Sequence, residues 1–73
     1  MPEVHERYTY SVTWSDEDAQ YVGTCEELGG LSNLADSQEL ALSGIVVLVA
    51  DVVRDLQANG EMVPDPAHRT VVV

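Results

Sequence analysis

Cationic side chains are scarce in this 73-residue chain: Arg7, Arg54 and Arg69 stand against thirteen Asp and Glu, for a formal net charge of -10. Affinity for nucleic-acid backbones comes from clusters of Lys and Arg that displace condensed counterions, and three scattered arginines form no such stripe. Direct nucleic-acid binding is therefore not expected, nor is attachment to an anionic membrane surface. Cysteine is nearly absent too. The single Cys25 permits no intramolecular disulfide and no cysteine-based zinc site of the usual kind, which points to a cytoplasmic protein. Long apolar runs are also missing. The longest, residues 45–50, falls far short of the ~20 residues a membrane-spanning helix needs. No basic stretch followed by an apolar one stands at the start in the manner of a secretory signal.

What is present is enough to fold. Hydrophobic residues make up 45% and charged residues 22%, too apolar a balance for a disordered chain. A single domain is expected over residues 1–73, with a flexible amino terminus at residues 1–6. So short a chain buries only about 60% of the surface its unfolded form exposes, so burial between subunits would add to its stability. Residues 7–14 alternate, with Tyr8, Tyr10, Val12 and Trp14 on one face and Arg7, Thr9, Ser11 and Thr13 on the other, the period of a half-buried strand. The apolar pattern resumes at residues 20–25, so the two runs read as a hairpin closed by the acidic residues 15–19. Paired Gly29 and Gly30 mark a turn, and residues 31–35 read as a short third strand.

At Asp36 the period changes. Asp36 or Ser37 can cap a helix, and Asp36 with Glu39 has the spacing of a capping box in an acidic form. Leu42, Ile45, Val49, Val52, Val53 and Leu56 recur at three- and four-residue steps, one apolar stripe suited to lie across a small sheet. Asn59 and Gly60 supply a left-handed stop, and Pro64 and Pro66 prevent continuation. A proline-rich link over residues 61–67 then leads to the β-branched residues 69–73, which read as a fourth strand in the chain's own sheet or a neighbour's.

The chemistry-bearing residues do not assemble into a catalytic pattern, and no cofactor, metal site or enzymatic activity is expected. Asp16, Glu17 and Asp18 lack the length and turn glycine of a calcium loop. His5 and His68 have no neighbours spaced as a triad or metal cluster requires. Cys25, beside two carboxylates, reads as a small packing residue. The informative feature is the far side of the helix. Leu40, Gly44 and Val47 fall opposite the core stripe, with Val46 and Leu48 flanking it, so the helix is apolar over most of its circumference. A Leu, Gly, Val surface is what helix-on-helix contact needs, and these five residues are the candidate interface for a homo-oligomer or a partner.

Three segments taken together resemble the HicB family of antitoxin domains over nearly the full length: residues 8–14, "YVGTCEELGGLSNLADSQELAL" from Tyr21 to Leu42, and "LQANGEMVPDP" from Leu56 to Pro66. The family pattern is a first strand with Tyr, a second strand entering an acidic turn, an Asp-Ser/Thr helix cap followed by Glu and Ala, and a helix ending in Asn/Arg-Gly-Glu before a proline-rich exit. Glu27, Leu28, Gly30, Asp36, Ser37, Glu39, Ala41, Leu42, Gly60, Glu61 and Pro64 match it. Gly29 stands where the family usually has Pro, Leu40 where it has a second Glu, and Val46 and Val47 where it has charged residues. Those departures strip polar side chains from the helix surface, as a natural oligomer or a surface redesigned for assembly would.

The resemblance implies an α+β fold of order β-β-β-α-β, a three- to four-stranded sheet packed on one long helix, similar to a reduced ribonuclease H domain without its catalytic carboxylates. It implies an antitoxin-like protein-binding domain that oligomerises and neutralises a HicA-type messenger-RNA endonuclease, a small basic protein, by covering its RNA-facing surface. Asp16, Asp18, Glu26 and Glu27 are the candidate toxin-facing acids. Many HicB antitoxins carry a carboxy-terminal DNA-binding module, and autoregulation through DNA is expected to be missing from this polypeptide. The alternative is an orphan or engineered subunit of a homomeric or designed assembly, with no toxin partner.

Overall fold

The computed structural model describes residues 3–66. Three antiparallel strands, β1 (Tyr10–Ser15), β2 (Gln20–Cys25) and β3 (Ser32–Ala35), lie in the order β1-β2-β3, and one long helix, α1 (Gln38–Ala58), packs across one face. The architecture is α+β, in the order expected. The expected fourth strand at residues 69–73 lies outside the described residues.

The alternation read from the sequence sets the register. Tyr10 pairs with Cys25, Val12 with Gly23 and Trp14 with Tyr21, and on the other side of β2 Gly23 pairs with Asn33 and Tyr21 with Ala35. These residues share the helix-facing side of the sheet, because residues opposite one another in a ladder point the same way. Ser11, Thr13, Val22, Thr24, Ser32 and Leu34 take the open side. A four-residue loop joins β1 to β2 from Asp16 to Ala19, and Ala19 occupies the left-handed region at φ 52°. There the Ser15 hydroxyl donates to Asp18 Oδ2 at 3.0 Å, and the Asp18 amide donates back to it at 3.3 Å.

Helix α1 begins at Ser37, whose hydroxyl accepts the Leu40 amide at 3.1 Å. The cap is therefore Ser37, and the Asp36–Glu39 capping box does not form, since the helix starts one residue later than that box requires. At the other end Gly60 is left-handed at φ 71°. The Glu61 amide donates to the Leu56 carbonyl at 2.9 Å and the Gly60 amide to Gln57 at 3.2 Å. That pair of bonds is the Schellman stop expected of Asn59-Gly60.

The core differs from the expected stripe, of which Val52 and Leu56 are only half-buried. Ala41, Ile45, Val49 and Val53 are buried, whereas Leu42, placed in the stripe by the sequence reading, is 44% exposed. The cause is Gly23. A Cβ built there would collide with the carbonyl of Ala41 and reach 3.0 Å from Ile45. The helix backbone thus comes down directly on β2, and the sector of α1 that fits is the one carrying the small Ala41. Leu42 is left to one side, in a shallow groove with Val12, Gln38 and Glu39.

The described part of the amino-terminal segment holds local structure that the sequence reading did not include. Val4–Arg7 forms a 3-10 turn in which the Glu3 amide donates to Glu6 Oε1 at 2.8 Å, and Val4 packs against the core. Tyr8 is buried, and strand β1 begins at Tyr10 rather than Arg7. Gly23→Ala is expected to lower unfolding stability by about 1–3 kcal/mol, the usual cost of overfilling a packed site, read as a fall in the urea midpoint at constant slope.

Candidate protein-interaction surface

The five candidate residues on α1 divide into three settings. Leu40 and Val47 are 59% and 61% exposed, and their separation of seven residues puts them on one face about 10 Å apart. They point away from the sector that Ala41, Ile45, Val49 and Val53 bury. Val46 is half-buried, and Leu48 is half-buried and packed against the core. Gly44 is turned toward β3: a Cβ there would run into the side-chain amide of Asn33, which donates to the Leu40 and Ala41 carbonyls at 3.4 Å. Gly44 therefore makes room for Asn33 within the chain. The outward apolar face reduces to Leu40 and Val47.

The four candidate acids do not form one cluster. Asp16 and Asp18 sit in the β1–β2 loop, and Glu26 and Glu27 in a 3-10 turn, Glu26–Leu28, at the opposite end of β2. Six strand residues separate the pairs, about 20 Å of extended chain. Asp16 accepts the Trp14 indole N–H at 2.8 Å. Glu27 is half-buried and structural: its Oε1 accepts the Thr9 amide at 2.9 Å and lies 3.6 Å from the Cys25 thiol.

Exposed apolar side chains beyond the helix, Trp14, Leu34 and Met62, escaped the sequence reading. Trp14 lies on the helix-facing side of β1 yet is 52% exposed. Its ring meets that of Tyr21 edge to face at 5.0 Å. Leu34 is exposed on the open side of the sheet, beside its partner Val22. The alternation of β3 could have shown Leu34, since it has the opposite parity to Leu31, which packs on the core.

Under the helix lies a small polar cluster around Cys25, itself 1% exposed. The Tyr8 hydroxyl donates to the Pro64 carbonyl at 2.5 Å and the Tyr10 hydroxyl to the His5 carbonyl at 2.6 Å. Burial raises the pKa of both phenols, with the nearby Cys25 and Glu27 adding to it, and Tyr10 is pushed up to about 12. Burial also pushes the Cys25 thiol up, against the lowering effect of backbone hydrogen bonds from Leu28 and Glu27. The thiol is thus held in its unreactive form, the packing role expected of it. His5 lines a shallow depression with Glu3, Val4, Ala50, Val53, Arg54 and Gln57. His68 lies outside the described residues. Among the described residues no three His, Cys, Asp or Glu side chains are grouped to hold a metal ion, and no helix is long and apolar enough to cross a membrane.

Comparison with protein-family models, curated proteins and solved structures gave no match. The surface is therefore read from its own residues: two outward aliphatic side chains on the helix and exposed carboxylates at the hairpin loop.

The tyrosines supply a pH test. Both phenols lose their protons at higher pH in the folded chain than in the unfolded one, so the stability they contribute is whole below pH 10 and is lost above it, the share of Tyr10 as the pH climbs through about 12. Circular-dichroism melts between pH 8 and 12 should show the melting temperature falling across that window; Tyr10→Phe should flatten the fall.

Proposed function

We propose that this chain is a non-catalytic, antitoxin-like protein-binding domain of HicB type. It self-associates through the outward face of α1 and neutralises a small basic endonuclease of HicA type by covering its RNA-facing surface. The observation that carries the reading is the exposure of Leu40 and Val47 at 59% and 61%. They lie on the outer face of a helix whose opposite face is already fully used by the sheet. An acidic chain of net charge -10 gives such a domain a field that steers a basic partner toward it. The exposed Asp16, Asp18 and Glu26 are better-placed toxin-facing acids than the half-buried Glu27, whose carboxylate accepts the Thr9 amide. By the same family analogy the domain is cytoplasmic.

A second reading keeps the association and drops the toxin: an orphan or engineered subunit whose Leu40 and Val47 make homomeric contacts only. The same exposed pair favours it.

Two measurements separate these readings. Size-exclusion chromatography with light scattering should show an oligomer for the unaltered chain and a 7.9 kDa monomer for Leu40→Glu with Val47→Glu. The uncharged Leu40→Gln with Val47→Thr should do the same and so rule out added repulsion as the cause. A mass that does not change removes the association. Titration of the chain into a HicA-type endonuclease digesting RNA should protect the RNA completely at one equivalent, with Asp16→Asn and Asp18→Asn weakening protection. Undiminished cleavage in the presence of folded, oligomeric protein would leave only the second reading.

A further inference from the structure

Near the first turns of α1, on the side toward β1, the helix leaves part of the sheet uncovered. Two depressions adjoin there. One is lined by Val12, Gln38, Glu39 and Leu42, the other by Tyr21, Asp36, Ser37, Gln38 and Glu39, so Gln38 and Glu39 form a wall common to both. Trp14 borders them on the strand side. It follows Val12 by two residues on the same face of β1, about 7 Å along the strand, and its ring meets that of Tyr21. The indole stands largely in solvent, with its N–H donated to Asp16 Oδ1 at 2.8 Å. Leu42 is exposed on the helix side.

The groove is apolar along its floor and anionic around its rim. Val12, Leu42 and the two rings supply aliphatic and aromatic surface. Glu39 on the wall, Asp36 before the helix and Asp16 beside Trp14 supply carboxylates, and all three residues are exposed. The described arginines lie elsewhere: Arg54 is bonded to Asp51 at 3.2 Å in the far half of α1, and Arg7 precedes β1 at its other end. A long side chain with an apolar stem and a charged head matches such a surface, its methylenes lying on Val12 and Leu42 and its head against the indole. Arginine fits better than lysine, because a flat guanidinium stacks on a ring and still presents donors to carboxylates at its edge.

We infer that the groove bounded by Trp14, Tyr21, Glu39 and Leu42 receives an arginine side chain from a basic protein. The assignment rests on the reading of this chain as a binder of a basic partner, and it gives that partner an anchor point. The groove occupies the flank of α1 toward β1, whereas Leu40 and Val47 point away from the sheet. Binding of the partner here leaves the outer helix face open to a second copy.

Trp14 is the chain's single tryptophan, so its fluorescence reports the groove directly. The probe is the blocked tripeptide acetyl-Gly-Arg-Gly-amide, titrated into the full chain at low ionic strength, with the uncharged citrulline tripeptide as control. The arginine peptide should change the Trp14 emission saturably, and the citrulline peptide should bind at least about fivefold more weakly. Glu39→Gln should weaken the arginine peptide about threefold to fivefold, the share of one exposed ion pair. Asp55→Asn, sixteen residues and about 24 Å along the helix from Glu39, should leave the affinity unchanged. In nuclear magnetic resonance spectra the shifts should centre on the Trp14 indole and the Val12 and Leu42 methyl groups. Equal binding of the citrulline peptide, no saturable change at Trp14, or equal weakening by Asp55→Asn and Glu39→Gln, the mark of general attraction to an acidic chain, would each overturn the assignment. The endonuclease takes no part in this assay, so a failure here leaves the RNA-protection titration to decide the wider reading by itself.

Discussion

The approach of α1 to β2 at Gly23 governs the rest of this fold. Glycine there removes the one side chain that would hold helix and strand apart, and Ala41 opposite it is small enough to let the backbones meet. From that contact the sector of α1 facing the sheet follows, and from the sector follows which residues are left over. Ile45, Val49 and Val53 fall into the core; Leu42 slides to the β1 side; Leu40 and Val47 end on the outside.

Much of the architecture was legible because periodicity reports it directly. The bounds of β2, the hairpin loop, the Ser37 start among two proposed caps and the Asn59-Gly60 stop each follow from local chemistry that needs no tertiary partner. The angular phase of the helix was not legible in the same way. A 3.6-residue period fixes how side chains are spaced around α1 but not which sector meets the sheet, and choosing the sector by hydrophobicity favours Leu42 over Ala41. Close approach reverses that choice, and its signal is a glycine in mid-strand, a residue that in a strand often marks a nearby backbone. The turn at Val4–Arg7 was hidden for a different reason: Glu3 and Glu6 hold it by hydrogen bonds that leave no hydrophobic pattern.

The candidate surface was legible in part for similar reasons. Leu40 and Val47 are exposed as their positions on the helix imply, while Gly44, which shares their face by angle, is taken up by Asn33 from β3. That contact depends on a side chain from another element and has no trace in the helix's own sequence. The acids split for a comparable reason. Glu26 and Glu27 differ little in sequence, but Glu27 is drawn inward by the Thr9 amide at the end of the hairpin.

The bond from Tyr8 to Pro64 joins residues 56 positions apart, and Val4 and Val63 rest on the same core. The described chain consequently enters and leaves at one end of the sheet, with the Asp16 to Ala19 loop at the other. Fluorophores or affinity handles grafted onto that distal loop would sit remote from both entry and exit, and a permuted chain reopened there would keep every strand and the helix intact.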